Sequence, residues 1–247
     1  MFMLKVLWPE LERQRNIDMN LWKHFLENKG NKITRWTHYF PIYEKHFAQF
    51  KNKPVKVLEI GVLNGGSLPM WSKYFGPWSQ IVGIDIDAGC KLHEKDGIQV
   101  RIGDQSDPKF LQELVDEFGE FDLIIDDGSH HVNHVRKTFE FLYPKMSKNG
   151  MYFIEDTHAA YWADTHGGGL EHPDSIINVS KNLVDKLNAH HTKGQVEPDE
   201  FTESTQSISF YDSIIIFERG QIKWKQPLEF GDIDFRDQDE EILTIKT

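Results

Sequence analysis

Two pairs of acidic residues, each at the end of an apolar run, have the spacing of a cation site. Asp126 and Asp127 end the stretch F-D-L-I-I-D-D, and Glu155 and Asp156 end M-Y-F-I-E-D. Carboxylates held within a few ångströms of one another are unstable unless they are protonated or neutralised by a cation. Carboxylate oxygens completed by water are typical ligands of Mg²⁺, and no Cys/His cluster indicates zinc. The set therefore favours a divalent metal, although any single acid could instead cap a helix and face water.

Histidines close behind the first acidic pair offer a proton acceptor. His130, His131 and His134 lie near the start of a predicted helix. Imidazole is the natural general base at neutral pH because its ordinary pKa lies close to neutrality. Each histidine could equally be a solvated surface residue, so the residues alone leave the choice among the three open.

Alternating apolar runs and amphipathic stretches predict the elements that position these groups. A parallel sheet covered on both faces follows from near-continuous apolar strands separated by helices, and a hairpin turning near residues 211–213 adds an antiparallel pair. The predicted strands are 55–61, 80–86, 98–103, 121–126 and 151–156, and the predicted hairpin is 207–220. The predicted helices lie at 68–75, 108–118, 132–142 and 176–187.

A glycine-containing turn after the first strand indicates a nucleoside site. In open parallel sheets ligands bind beyond the carboxyl ends of the strands. The turn E-I-G-V-L-N-G-G-S lacks the G-x-G-x-x-G spacing of dinucleotide sites, which disfavours NAD. Asp85 is placed to accept ribose hydroxyls, and Asp104 to reach an adenine. Tight-turn glycines and helix-capping aspartates are the alternative, but three such strand ends in succession favour the nucleoside site.

Composition excludes several other classes of function. The 247 residues suffice for one α/β domain, and a formal net charge of −11 argues against unaided binding of nucleic acid or an anionic membrane. The single cysteine, Cys90, suits a reducing compartment and is expected to be a buried apolar residue. We expect no signal peptide, no membrane helix and a cytoplasmic location.

The turn E-I-G-V-L-N-G-G-S together with G-I-D-I-D and I-G-D-Q resembles the class I S-adenosylmethionine-dependent methyltransferases. The resemblance covers residues 51–220 and implies an α/β fold with a Rossmann-like seven-stranded, mostly parallel sheet whose last strand is antiparallel. It also implies S-adenosylmethionine as the cofactor. The predicted cofactor-binding residues are Glu59, Gly61, Gly65, Ser67, Asp85, Asp104, Gln105 and Asp126.

The segments D-D-G-S-H and I-E-D-T-H-A-A-Y-W are similar to the metal-dependent sugar O-methyltransferases of the mycinamicin type. That family binds Mg²⁺ through an aspartate after the fourth strand and an acidic pair after the fifth, and its general base is a nearby histidine. The resemblance assigns the metal to Asp127, Glu155 and Asp156, and the base to His130 with His131 as second choice. It implies a sugar or glycoside acceptor, and the predicted acceptor contacts are Tyr39, His158, Tyr161 and Trp162.

The predicted organisation is an N-terminal helical cap over residues 1–50, a methyltransferase domain over 51–231 and an acidic tail over 232–247. Residues 157–169 are typical of a mobile lid, or of an ordinary long loop. We expect a homo-oligomer that methylates a small molecule. The alternatives are a methyltransferase that uses no metal and a cofactor-binding scaffold without turnover, with a nicotinamide oxidoreductase the least favoured.

Overall fold

A seven-stranded sheet forms the centre of the computed structural model, which describes residues 20–220 and 227–231. The strand order is β3-β2-β1-β4-β5-β7-β6, and β7 runs antiparallel to both of its neighbours. The strands are β1 Lys56–Ile60, β2 Gln80–Asp85, β3 Ile98–Ile102, β4 Leu123–Asp126, β5 Met151–Ile154, β6 Thr205–Tyr211 and β7 Ile214–Arg219. The predicted parallel sheet with an antiparallel last strand is confirmed.

Helices cover both faces of the sheet, as near-continuous apolar strands require. One face packs against α1, α2 and α3, and the other against α4, α5 and α7. The helices are α1 Asn20–Leu26, α2 Phe40–Phe47, α3 Ser67–Phe75, α4 Pro108–Phe118, α5 Val132–Leu142, α6 Ala163–His166, α7 Ile176–Leu187 and α8 Glu200–Ser204. Among the described residues no helix is both long and apolar enough to cross a membrane.

The predicted ends of two strands were wrong in a way that matters for the site. The fourth strand begins at Leu123 rather than at residue 121, and the fifth ends at Ile154 rather than at residue 156. Asp156 has a left-handed backbone with φ of 49°, which a strand cannot contain. The second acidic pair therefore lies in the turn after β5 and not at the end of the strand itself.

The N-terminal cap is only partly helical. Helices α1 and α2 pack Trp22, Tyr43 and Phe47 into the core, but residues 27–36 between them form no helix beyond the last turn of α1. We call residues 30–36 the strap. The predictions for residues 1–19 and for the acidic tail from residue 232 lie outside the described residues.

Candidate functional site

The register of the sheet brings the predicted acidic residues together. Ile60, Asp126 and Ile154 are neighbours across β1, β4 and β5. The next residue on each strand continues the pairing, because the Asp127 amide donates to the Ile60 carbonyl at 3.0 Å and the Glu155 amide donates to the Asp126 carbonyl at 2.9 Å. The two acidic pairs are therefore adjacent at the carboxyl edge of the sheet.

Asp127, His130 and Asp156 form a group that could hold a metal ion. One ligand atom from each lies within 4.8 Å of the others, and within residues 20–220 and 227–231 no other group of three meets this condition. His130 Nε2 is 3.6 Å from Asp127 Oδ1 and 3.7 Å from Asp156 Oδ2. Two carboxylate oxygens with an open side suit a hard divalent cation. The helix-cap alternative for Asp127 is excluded, since the residue that caps α5 is His131.

Backbone strain marks the same group. His130 has φ of 54° and Asp156 has φ of 49°, a conformation that costs a non-glycine residue about 1 kcal/mol or more. Such strain persists only where the surrounding structure imposes it, and it concentrates at functional sites. Both strained residues present their side chains to the same cluster, which fits a site built for chemistry.

Glu155 is the predicted metal ligand with the least freedom. It is 2% exposed, and Tyr43 Oη donates to its Oε1 at 2.8 Å. Its Oε2 lies 3.5 Å from Nε of Arg35. Burial raises the pKa of Glu155 well above its usual range, against the opposing charge of Arg35. Both carboxylate oxygens of Glu155 therefore already have partners. Glu155 borders a cavity together with Asp127 and Asp156, and its role as a metal ligand stays a prediction.

Arg35 is the main site residue that the sequence did not single out. Its guanidinium contacts Glu59 Oε1 at 2.8 Å, Asp127 Oδ2 at 2.7 Å and Glu155 Oε2 at 3.5 Å. The three carboxylates come from the ends of β1, β4 and β5, while Arg35 comes from the strap. The side chain is 9% exposed, so a buried cation neutralises acids that would otherwise repel one another.

The three histidines have different surroundings. His130 borders the large cavity described below and faces both aspartates of the cluster. The pKa of His130 lies below its ordinary value, because the effect of burial outweighs the opposing effect of the Asp127 and Asp156 charges. The imidazole is therefore neutral and can accept a proton. His131 packs beside the His134 ring at 4.8 Å and borders neither cavity of the site. His130 therefore faces the cluster and His131 does not, whereas His134 borders the large cavity; the choice of the base stays a prediction.

A cavity of about 490 Å³ lies over the carboxyl ends of β1, β2 and β3. This volume is ordinary for a small-molecule or cofactor site. Five predicted cofactor residues border it: Gly61, Ser67, Asp85, Asp104 and Gln105. The carboxylate of Asp85 also accepts the amides of Val62 and Leu63, each at 2.9 Å, and so holds the glycine turn in place.

Three predicted cofactor residues, Glu59, Gly65 and Asp126, do not border the cavity. Glu59 is fully buried, and Arg35, Ser67 and Trp71 all donate to it. A Cβ on Gly65 would meet the His93 ring.

Asp126 lies on the opposite face of the sheet, where Tyr152 Oη donates to it at 3.0 Å and Gln105 Nε2 at 3.2 Å. Burial raises the pKa of Asp126 to about 7. Asp126 and Glu59 therefore position residues that border the cavity instead of bordering it themselves.

Gly61 has a structural duty beside its place at the cavity. Its φ is 93°, and a Cβ there would lie less than 3.0 Å from the carbonyl of Asp127. We expect Gly61→Ala to displace the Asp127 loop and lower any activity that depends on Asp127 at least about tenfold, with a loss of stability of about 1 kcal/mol or more. Activity and thermal unfolding check this, with Gly97→Ala as the control for positive φ in open space. Unchanged activity would show that Asp127 tolerates the displacement.

A smaller cavity of about 240 Å³ shares Asp127 and Asp156 with the larger cavity as border residues. Tyr39, a predicted acceptor contact, borders it and donates to Asp156 Oδ1 at 2.5 Å. Trp36, which was not predicted, borders it and is 54% exposed.

The other predicted acceptor contacts continue outward from Trp36. The His158 ring lies 5.9 Å from Trp36 and 5.0 Å from Trp162, and Tyr161 and Trp162 are half exposed. The rings of Trp36, His158 and Trp162 form an aromatic rim beside the smaller cavity. Residues 157–169, the predicted lid, contain a 3-10 turn and α6. Gly168 is packed, because a Cβ there would meet the Ala160 backbone. The motion of this segment stays a prediction.

Comparison with known proteins agrees with this geometry. No family model matches the chain. It is 36% identical over 200 residues to mycinamicin VI 2''-O-methyltransferase of Micromonospora griseorubida, covering 74% of this chain and 49% of that protein. It is 35% identical over 190 residues to 8-demethyl-8-alpha-L-rhamnosyl tetracenomycin-C 2'-O-methyltransferase of Streptomyces olivaceus, covering 73% and 50%. The chain spans about half the length of the curated relatives it matches.

A solved structure matches over nearly the whole chain. The MycE methyltransferase of the mycinamycin biosynthetic pathway, in complex with Mg, SAH and mycinamycin VI, superposes with a TM-score of 0.72 at 29% identity, covering 91% of this chain and 58% of that one. Sequence and fold point to the same group of proteins. The chain has the class I methyltransferase fold of MycE and is a homologue of the sugar O-methyltransferases of macrolide and tetracenomycin pathways.

Proposed function

We propose that the chain transfers a methyl group from S-adenosylmethionine to a sugar hydroxyl of a small glycoside, with Mg²⁺ or another divalent cation as second cofactor. The observation that carries the proposal is the cluster of Asp127, His130 and Asp156. Asp127 and Asp156 of this cluster border two cavities, one of nucleoside size and one bordered by aromatic side chains. Homologues named for methylation of sugars, one of them crystallised with Mg and SAH, support the choice of reaction and cofactors.

The larger cavity is assigned to the cofactor. Gly61, Asp85 and Asp104 border it at the carboxyl ends of β1, β2 and β3, where open parallel sheets bind nucleotides. The strap forms another part of its wall through Lys32, Ile33 and Thr34. His130 and Asp127, two residues of the cluster that could hold a metal, border the same cavity. The transferred methyl group therefore belongs beside these two residues.

The smaller cavity is assigned to the acceptor sugar. Its volume of about 240 Å³ suits one sugar ring, and its open side is lined by Trp36 with His158 and Trp162 beyond. Aromatic faces are apolar with polar neighbours, which suits the faces of a sugar. Tyr39 holds Asp156 at the base of this cavity. A ring placed there presents a hydroxyl towards Asp127, Asp156 and His130.

Each residue of the cluster has a role in removing the hydroxyl proton. A sugar hydroxyl is a poor nucleophile until its proton leaves, and neutral His130 is the group that accepts it. Asp127 and Asp156 then stabilise the imidazolium, since each places an oxygen within 3.7 Å of Nε2. Asp127, Asp156 and, by prediction, Glu155 would hold the cation. When bound, a divalent cation lowers the pKa of a coordinated hydroxyl and orients it.

Arg35 favours one second candidate, a methyltransferase that uses no metal. Its guanidinium already supplies a positive charge beside Asp127 and Glu155. In that case His130 alone would remove the proton. The two candidates differ in one measurable property, the dependence of methyl transfer on a divalent cation.

Methyl transfer from S-adenosylmethionine to a panel of deoxysugar and hexose glycosides, followed by mass spectrometry, tests the proposal. We expect a mono-methylated product, at least about 100-fold less of it in EDTA, and recovery with Mg²⁺. Full activity in EDTA would support the metal-independent candidate. Binding of S-adenosylhomocysteine without turnover of any acceptor would support a scaffold instead.

A further inference from the structure

The strap is attached to the rest of the chain almost entirely through side chains. Among the described residues, no backbone–backbone hydrogen bond joins residues 30–35 to another element. Asn31 Nδ2 lies 3.2 Å from His93 Nδ1, and Ile33 packs against the core. The Trp36 ring lies 5.9 Å from the His158 ring. The remaining polar attachment is Arg35, whose guanidinium contacts three carboxylates. A segment with so few contacts of its own depends on each one for its position.

The same strap is a wall of the larger cavity. Lys32, Ile33, Thr34 and Arg35 border that cavity, as does the glycine turn. The strap also lies directly on Gly66, because a Cβ there would be less than 3.0 Å from the backbone oxygens of Asn31 and Lys32. The larger cavity is thus enclosed between the turn after β1 and a segment that Arg35 holds down.

Arg35 also fixes Asp127. Arg35 Nη1 contacts Asp127 Oδ2 at 2.7 Å, and the other oxygen, Oδ1, faces His130 Nε2. The planar guanidinium is suited to hold several carboxylates in a fixed geometry, which a lysine cannot do. One side chain therefore sets both the wall of the larger cavity and the orientation of an acid in the cluster.

We propose that Arg35 is a positioning residue that latches the strap over the cofactor, through Glu59, Asp127 and Glu155. The proposal rests on the assignment of the larger cavity to S-adenosylmethionine. Breaking the latch releases one wall of that cavity, so the cofactor binds more weakly and leaves faster even when no metal is present. The effect is separate from any role of the cluster in methyl transfer.

The test measures binding of S-adenosylhomocysteine in EDTA by titration calorimetry. We expect Arg35→Met to weaken binding at least about tenfold and Arg35→Lys to weaken it less, since an ammonium keeps the charge but not the three-way geometry. Hydrogen exchange supplies the direct readout. We expect S-adenosylhomocysteine to slow exchange of amides in residues 28–37 of the natural protein, and we expect this protection to be lost in Arg35→Met.

A second variant keeps the test decisive if the buried acids prevent Arg35→Met from folding. Gly66→Ala changes no charge, and its φ of −73° accepts alanine, but its Cβ displaces the strap. We expect the same weaker binding and lost protection. Arg136→Met is the matched control. Arg136 lies on α5, forms ion pairs with Asp174 and Glu140, and borders neither cavity of the site.

The outcomes separate the latch from the proposed function. If the natural protein binds S-adenosylhomocysteine and a folded Arg35→Met or Gly66→Ala binds it within twofold, with strap protection intact, the latch is wrong and the proposed function stands. If the natural protein does not bind S-adenosylhomocysteine, the cofactor assignment fails and the latch fails with it.

Discussion

Replacing Asp127 by asparagine is expected to weaken binding of a divalent cation at least about 100-fold and to lower kcat by a similar factor or more. The amide has the same shape, and its oxygen can still lie against the Arg35 guanidinium, whose Nη1 is 2.7 Å from Asp127 Oδ2. The other position becomes an NH₂ group directed at His130 and Asp156, where it cannot act as a ligand. The substitution therefore removes one ligand atom and the charge while the fold is retained.

Two measurements check the Asp127→Asn expectation. Titration with Mn²⁺, followed by its electron spin resonance signal, gives cation affinity without any acceptor, and methyl transfer in Mg²⁺ gives kcat. Asp212→Asn is the matched control, because Asp212 is an exposed acid in the β6–β7 turn, 87% exposed, and should leave both quantities unchanged. Cation affinity within threefold of the natural protein would remove Asp127 from the metal site.

The parts of the site that lie at strand ends could be predicted from the sequence. Apolar runs that end in Gly61, Asp127 or Glu155 imply parallel strands, and parallel strands place their carboxyl ends along one edge. The order of strands then brings β1, β4 and β5 together, as the structure confirms. Helix α4 was equally accessible, since its apolar face, its proline in the first turn and the following Gly119 all agree on its bounds.

Side-chain direction was not accessible at the same level. Successive residues of a strand face opposite sides of the sheet, so an error of one residue in a strand end exchanges the two faces. Asp126 is the last residue of β4 and points to Tyr152 and Gln105, whereas Asp127 points to the cavities. The sequence shows two equivalent aspartates, and only the strand boundary distinguishes them.

Arg35 could not be predicted because its partners are remote in sequence. It lies 24 residues before Glu59, in a polar stretch where a lone arginine is ordinarily a solvated side chain. Its burial results from the path of the strap across the glycine turn, which no periodicity encodes. Trp36 escaped notice for the same reason, although its neighbour Tyr39 was predicted. Long-range packing of an irregular segment is what local patterns omit.

Replacing His130 by asparagine is expected to lower kcat between about 100-fold and 10,000-fold, the usual contribution of a general base. Asparagine tolerates the left-handed backbone that His130 adopts at φ of 54°, so the loop keeps its course. Burial lowers the pKa of His130, and the neutral imidazole is the active form. Activity of the natural protein should therefore fall as the pH drops, with a midpoint below the ordinary histidine value of 6.5, and this acidic limb should vanish in His130→Asn.

The geometry also allows His130 to be a metal ligand, and the same variant decides between the two roles. If His130 is the base, its replacement leaves cation affinity unchanged. Mn²⁺ and S-adenosylhomocysteine should then bind to His130→Asn within about threefold of their affinity for the natural protein. If His130 is a metal ligand, its replacement lowers both cation affinity and kcat. That result would assign Nε2 to the metal, and another group would accept the proton. His131→Asn is the matched control, since asparagine suits the N-cap position before α5 and His131 borders neither cavity of the site. A fall in kcat for His131→Asn as large as that for His130→Asn would contradict the assignment of the base.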